Sequence, residues 1–249
     1  MNGRVTIAIP YYGCPGAIER CVQSALAQTY RNLLVVVVGD GEVPPVLSTD
    51  RRLVVYTLDR NHGGAPFAQQ VALLATPDPW YAPLGADDWL ERGHLANLMR
   101  ERATAVATGV VWWHRPERKD AARRKVWYEV GLFRTERLRA FGGYDPSERV
   151  AQDNLVLGLL ERYGGLKVYR GEPTYHRLKV EGAMSSSAET GAGSKTRLAA
   201  ERRNGRHLEA ASRVTAAELA SLRAKRSTPE LRAELARHVD RLSRILWKL

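Results

Sequence analysis

Cysteine is scarce in this chain: among 249 residues only Cys14 and Cys21 carry a thiol. Two thiols within one turn-and-helix stretch supply neither a disulfide framework nor a metal-ligand spacing, so a reducing, cytoplasmic setting is expected. Long hydrophobic runs are missing too. No segment approaches the roughly 18 consecutive apolar residues that a membrane-crossing helix requires. Met1-Asn2-Gly3-Arg4 leads straight into a strand pattern, so no secretion signal is expected. Acidic residues are outnumbered, 27 Asp and Glu against 38 Lys and Arg, for a net charge of +11. Residues 186–249 hold 14 basic and 7 acidic side chains, so most of the excess is C-terminal. Such a segment suits an acidic partner, whether nucleic acid, anionic lipid or another acidic surface, and it equally suits a solvated helical face.

What is present is core-forming. An apolar content of 44% with six Trp supports one large α/β domain with an appendage. Residues 4–9 read as a strand ended by Pro10, and Ile18, Val22, Ala25 and Leu26 then recur at helical spacing. Leu33 to Val38 is a β-branched-rich run typical of a strand buried on both faces. Leu53 to Thr57 and Trp80 to Leu84 read as further strands, with a helix over 65–75 between them and a helical pattern beginning at Trp89 and running to Met99. This alternation predicts a mainly parallel, doubly wound sheet flanked by helices. Beyond residue 100, strands are expected at Val106–Trp113, Val126–Phe133, Leu166–Tyr169 and Thr174–Leu178, with a basic loop at 114–125. Helices are expected at Thr135–Phe141 and over 151–163.

Residues 182–196 are rich in Gly, Ser and Ala and read as a linker between a domain at 1–181 and a basic helical extension at 197–249. Two capping boxes, Thr215-Ala-Ala-Glu218 and Ser227-Thr-Pro-Glu230, open helices there. In the second helix Leu231, Leu235, Val239, Leu242 and Leu246 fall on one face. Packing against the main domain is the ordinary fate of such a face; a homodimer seam and a peripheral membrane contact are the alternatives.

The most informative stretch is Leu84-Gly85-Ala86-Asp87-Asp88-Trp89. Carboxylates at the C-terminal end of a strand in an open α/β sheet lie where ligands bind, and oxygen ligands there suit Mg²⁺ or Mn²⁺ beside a diphosphate. Paired acids also start helices well by complementing the helix dipole. Four features decide between these readings by their order. Strands end in Pro10-Tyr11-Tyr12 and in Gly39-Asp40-Gly41; Asn61-His-Gly-Gly precedes a helix, and Gly85-Ala-Asp87-Asp88 follows. Downstream come Gly142-Gly143-Tyr144-Asp145 and Gln152-Asp153.

This arrangement resembles the inverting family 2 glycosyltransferases of the GT-A (Rossmann-like) fold, over roughly residues 4–178. The resemblance implies a role for each position. Asp40 would accept a hydrogen bond from the nucleotide base, and Pro10, Tyr11, Asn61 and Asp88 would line the donor site. Asp87 would ligate the divalent metal, with His176 as a further ligand, and Asp153 would be the catalytic base. Gly143, Tyr144 and Trp89 would face the acceptor. It implies a nucleoside-diphosphate sugar donor, UDP favoured, and a glycan or glycolipid-precursor acceptor. A hydroxylated base in DNA is the alternative acceptor that the positive charge suggests. The chain departs from the family pattern in four places: Gly85 replaces the first acid of the Asp-x-Asp motif, Phe67-Ala-Gln-Gln70 lacks the donor-site Arg, Gln152 replaces an acid, and Tyr12-Gly-Cys-Pro lacks the acid found after the first strand. These departures leave open a non-catalytic nucleotide-sugar-binding module, against which stand the retained Asp40, Asp87 and Asp153.

Overall fold

The computed structural model describes residues 3–46, 48–101, 105–108, 110–115, 118–123, 130–178, 188–189, 191 and 193–249. In chain order the elements are β1 (Val5–Tyr11), α1 (Pro15–Leu26), β2 (Leu33–Gly39), β3 (Leu53–Thr57), α2 (Ala65–Ala75), β4 (Trp80–Pro83), β5 (Trp89–Leu90) and α3 (His94–Arg100). There follow β6 (Ala105–Ala107), β7 (Val110–Arg115), β8 (Arg118–Arg123), β9 (Gly131–Arg134), α4 (Thr135–Ala140) and α5 (Gln152–Leu159), which runs into a π turn at Leu160–Gly164. The last elements are β10 (Leu166–Val168), β11 (Tyr175–Leu178), α6 (Lys195–Ala211), α7 (Ala216–Ala224) and α8 (Pro229–Leu246).

Seven strands form the main sheet in the order β10-β6-β9-β4-β1-β2-β3. The β4-β1-β2-β3 half is parallel, whereas β9 runs antiparallel to both β4 and β6. The run at β2 is buried at every residue because helices cover both faces of the sheet. Leu34, Val36 and Val38 point into the cluster with α2, and Leu33, Val35 and Val37 into the one with α1. Pro10 does not end β1; it pairs opposite Val38. Ala8 faces β4, accepting from Leu84 N–H, and β4 pairing ends at Pro83. Pro10 faces the same side two residues on, where no ladder partner is left to need its missing N–H.

A smaller sheet, β5-β11-β7-β8, corrects several expectations. Trp89 and Leu90 start no helix; they pair antiparallel with Tyr175 and His176. Val106–Trp113 is split, its first part joining the main sheet as β6 and the rest the small sheet as β7. The basic stretch at 118–123 is strand β8 rather than loop, paired with β7. Expected strand residues 126–129 and most of the linker lie outside the described residues; within the linker, Lys195 already opens α6.

The C-terminal helices join the core. Ala211, Leu219, Leu242 and Leu246 belong to the same buried cluster as Leu34, Val36 and α2, and Leu231, Leu235 and Val239 pack against it. Thr215 and Glu218 form a reciprocal capping box at α7. At α8 the cap is Thr228, not Ser227: its hydroxyl accepts from Leu231 N–H at 3.2 Å. Among the described residues, no helix is long and apolar enough to cross a membrane.

Candidate active site

The C-terminal ends of β1, β2 and β4 converge on one edge, the edge where open α/β sheets bind ligands. Asp40 follows β2 and is 2% exposed. Its Oδ1 accepts from the His62 backbone N–H at 2.8 Å and lies 3.1 Å from His62 Nδ1. Its Oδ2 is buried without a partner. A buried carboxylate oxygen with no donor is costly. His62 is itself fixed: its ring stacks on Phe67 at 3.6 Å between centroids, and Nε2 lies 2.9 Å from Glu234 Oε1 of α8. Arg60 holds that same Glu234, keeping its carboxyl at about 2, well below the ordinary value. Asn61 is exposed and folds back on its own loop, accepting from Gly63 N–H at 2.5 Å. Arg149 Nε donates to Gly63 O at 3.0 Å, tying this loop to the segment before Asp153.

Tyr11, expected on the donor, is buried, with its hydroxyl 3.4 Å from Glu42 Oε1. Its ring is closed into the α1-side core, and burial raises its hydroxyl to about 12. The exposed aromatic at the end of β1 is Tyr12, 61% exposed.

After β4 the chain turns through Gly85–Asp88. Asp88 is a correction: expected on the donor, it is instead built into the fold. Its Oδ2 accepts from Tyr175 O–H at 2.8 Å and its Oδ1 from Leu178 N–H at 3.0 Å, locking the turn onto β11. Burial, then the neighbouring Asp87 charge, raises its carboxyl to about 7. A Cβ on Gly85 would sit 2.6 Å from Asp88 Oδ2, so Asp88 occupies the space that a side chain at 85 would need. Asp87 is different. It is half-buried, burial raises its pKa, and among the described residues no other side chain or backbone N–H binds its carboxylate.

Trp89 and His176 are also corrected. Trp89 is engaged by the Arg20 guanidinium, 3.9 Å from its ring, and by the His176 ring stacked at 5.1 Å, and it is partly buried. His176 is buried, and its Nε2 lies 3.0 Å from Glu91 Oε1, so its ring is committed to this stack. Among the described residues, it does not gather with Asp87 and Asp88 as a three-ligand group; the set whose ligand atoms come together is Asp59, His62 and Glu234.

The Gly142–Asp145 segment supports rather than lines the site. Gly143 has φ +63°, and a Cβ there would meet Gln70 Oε1 and Leu73 Cδ2, each at 2.5 Å. Gln70 clamps the turn, donating to Gly142 O at 2.9 Å and accepting from Tyr144 N–H at 2.8 Å. Gly143 and Tyr144 are buried, so neither presents itself to an acceptor as expected. Gln152 takes a similar supporting part, accepting from Asp145 N–H at 3.1 Å. Asp153 then stands in the first turn of α5, partly exposed, and among the described residues it holds only the N–H of Asn154, at 3.0 Å. The residue before this helix, Ala151, has φ 62°, an uncommon conformation for a residue with a side chain. Asn204 of α6 pins it by donating to Ala151 O at 2.6 Å. Strain of this kind concentrates where a functional group must be aimed.

The donor set fits a hard divalent cation in one specific way. Mg²⁺ and Mn²⁺ accept one or two carboxylates plus substrate phosphates, and Asp87 offers one uncommitted carboxylate at the strand end. Three residues of this architecture had no sequence-level assignment: His62, Glu234 and Asn204. Only His62 lay within a motif; the other two come from helices far along the chain.

Residues 6–151 match the model of the family described as Glycosyl transferase family 2. Glycosyltransferase GlyA of Streptococcus pneumoniae serotype 4 is 23% identical over 107 residues, 41% of this chain and 15% of the relative. Chondroitin synthase of Pasteurella multocida is 34% identical over 102 residues, 39% of this chain and 11% of the relative. A crystal structure of S. aureus TarS 1–349 in complex with UDP-GlcNAc shares the fold with TM-score 0.58 at 19% identity, covering 72% of this chain and 59% of that one. The matched stretch is thus a small part of the two curated relatives and somewhat over half of the TarS chain.

Proposed function

The chain belongs to glycosyl transferase family 2, and from that premise we propose that it transfers a sugar from a nucleoside-diphosphate donor, UDP favoured, to an acceptor hydroxyl with inversion at the anomeric carbon. The observation that carries this reading is Asp40: a buried carboxylate at the end of β2, one oxygen held by His62 and the other without a donor. The imide N–H of a uracil supplies that donor, and the UDP-GlcNAc in the TarS complex supports the choice of base.

Asp87 would hold the divalent metal, Mn²⁺ or Mg²⁺, which when bound neutralises charge developing on the departing diphosphate. Asp153 takes the proton from the acceptor hydroxyl as its oxygen bonds to the anomeric carbon; the bond to the diphosphate breaks and the diphosphate leaves with the electron pair. One displacement inverts the centre and requires no covalent enzyme intermediate. The names of the relatives support a glycan acceptor. The test is nucleotide binding and release with a panel of UDP-, GDP-, dTDP- and CMP-sugars, with Mn²⁺ or with EDTA. Metal-dependent binding of UDP-sugars, lost in Asp87→Ala, is the expected result. Equal binding with EDTA, or binding of no donor, contradicts the proposal and favours the non-catalytic module.

A further inference from the structure

A cavity of about 560 Å³ lies between α2, the Gly142–Pro146 segment, α7 and α8. This is the size of a small-molecule site. Leu74, Leu235 and Val239 supply its apolar wall, and Arg223 lines it from α7. Arg223 is 5% exposed. Among the described residues only one of its nitrogens is engaged, Nη1 donating to Phe141 O at 2.9 Å; Nε and Nη2 are buried without partners there. A buried guanidinium with two nitrogens idle is costly unless a partner answers them.

The surroundings answer it only in part. Asp145 lies near enough to act electrostatically on Arg223 but makes no hydrogen bond to it, its Oδ1 being taken by Ser147. Asp240, the other acid of the lining, is paired with Arg244. Arg226 and Arg232 add positive charge. Further buried polar atoms without partners lie on the adjoining elements: both ring nitrogens of His207, and Nε2 of Gln152. Gln152 shares a hydrogen bond with Asp145 and immediately precedes Asp153.

We propose that this cavity binds an organic anion, one carboxylate, sulfonate or phosphate group held by Arg223 on an apolar body packed against Leu74, Leu235 and Val239. The charged group pairs with the guanidinium that lines the cavity, and the apolar body fills space that α8 leaves open. The site is separate from the donor pocket and does not rest on the donor assignment. Through the Asp145–Gln152 hydrogen bond its lining adjoins the helix start that carries Asp153.

The probe is 1-anilinonaphthalene-8-sulfonate, titrated into the full chain and followed by fluorescence, with N-phenyl-1-naphthylamine as its uncharged counterpart. The expected result is saturable binding of the sulfonate at one per chain, at least tenfold tighter than the uncharged dye. Arg223→Gln removes the charge, and Ala236→Trp, at an exposed position on the cavity wall, fills the opening; each weakens binding at least tenfold. Circular dichroism establishes that each variant is folded, and Ala236→Trp decides alone if Arg223→Gln is not. Unsaturable binding, equal binding of the two dyes, or a folded variant that binds like the parent overturns the proposal.

Discussion

Replacing Asp40 by Asn separates the two tasks of that carboxylate. The amide oxygen can keep the place of Oδ1, because the His62 backbone N–H at 2.8 Å requires an acceptor there. That requirement blocks the flipped amide, so the NH₂ group must stand where the idle Oδ2 stood. A base N–H that met a carboxylate oxygen now meets another donor. Losing a hydrogen bond to a charged group costs about 1.5–3 kcal/mol, and leaving a buried donor unmatched costs about 1–3 kcal/mol more. A total of about 3–5 kcal/mol raises Kd roughly 100-fold or more, at about 1.4 kcal/mol per tenfold. Calorimetric titration of UDP in the presence of Mn²⁺ measures this directly. The amide should lose less affinity for CDP, because cytosine presents an acceptor at the corresponding ring nitrogen. Unchanged UDP affinity in a folded Asp40→Asn protein refutes the assignment of Asp40 to the base.

Two further outcomes follow from the packing. Gly143→Ala places a side chain in left-handed backbone, about 1–2 kcal/mol, and displaces Gln70 from two hydrogen bonds worth about 1 kcal/mol each; urea unfolding should show a loss of about 3–4 kcal/mol, and a loss under 1 kcal/mol would mean the clamp is absent. His94 is buried, and burial lowers its pKa from 6.5 to about 3. The unfolded chain therefore binds the extra proton first, and stability is full above pH 6.5 and declines as pH falls toward 3. The cost by pH 5 is about 2 kcal/mol at 1.36 kcal/mol per pKa unit, to be read from urea midpoints of the parent against a His94→Gln variant, whose slope over that window should be flatter.

The sequence showed most where burial is symmetric or chemistry is local. The Leu33–Val38 run declared a strand covered on both faces, and the Gly-Asp-Gly and Asp-Asp turns stood at strand ends where the structure has them. Long-range pairing was invisible. Nothing near Trp89 announces its partner Tyr175–His176, so an apolar pattern that fits a helix became a two-residue strand. The same distance hid the role of Asp88, whose two oxygens are taken by β11. Tyr11 and Tyr12 are adjacent, and strand alternation alone decides which is buried; a register set by β2 puts Tyr11 inside. Glu234 reaches His62 from α8, well outside the family-matched residues, and only the fold brings them together.

Asp153, aimed by the Ala151 turn, is the proposed acceptor of the proton. Asp153→Asn keeps the size and the helix-start hydrogen bond while removing the base. Turnover and donor Kd measured on the same preparation, once a UDP-sugar and an acceptor are in hand, test it most directly. Turnover is expected to fall at least 100-fold, with donor Kd within about twofold of the parent. Near-normal turnover, or loss of donor binding in step with turnover, would contradict it.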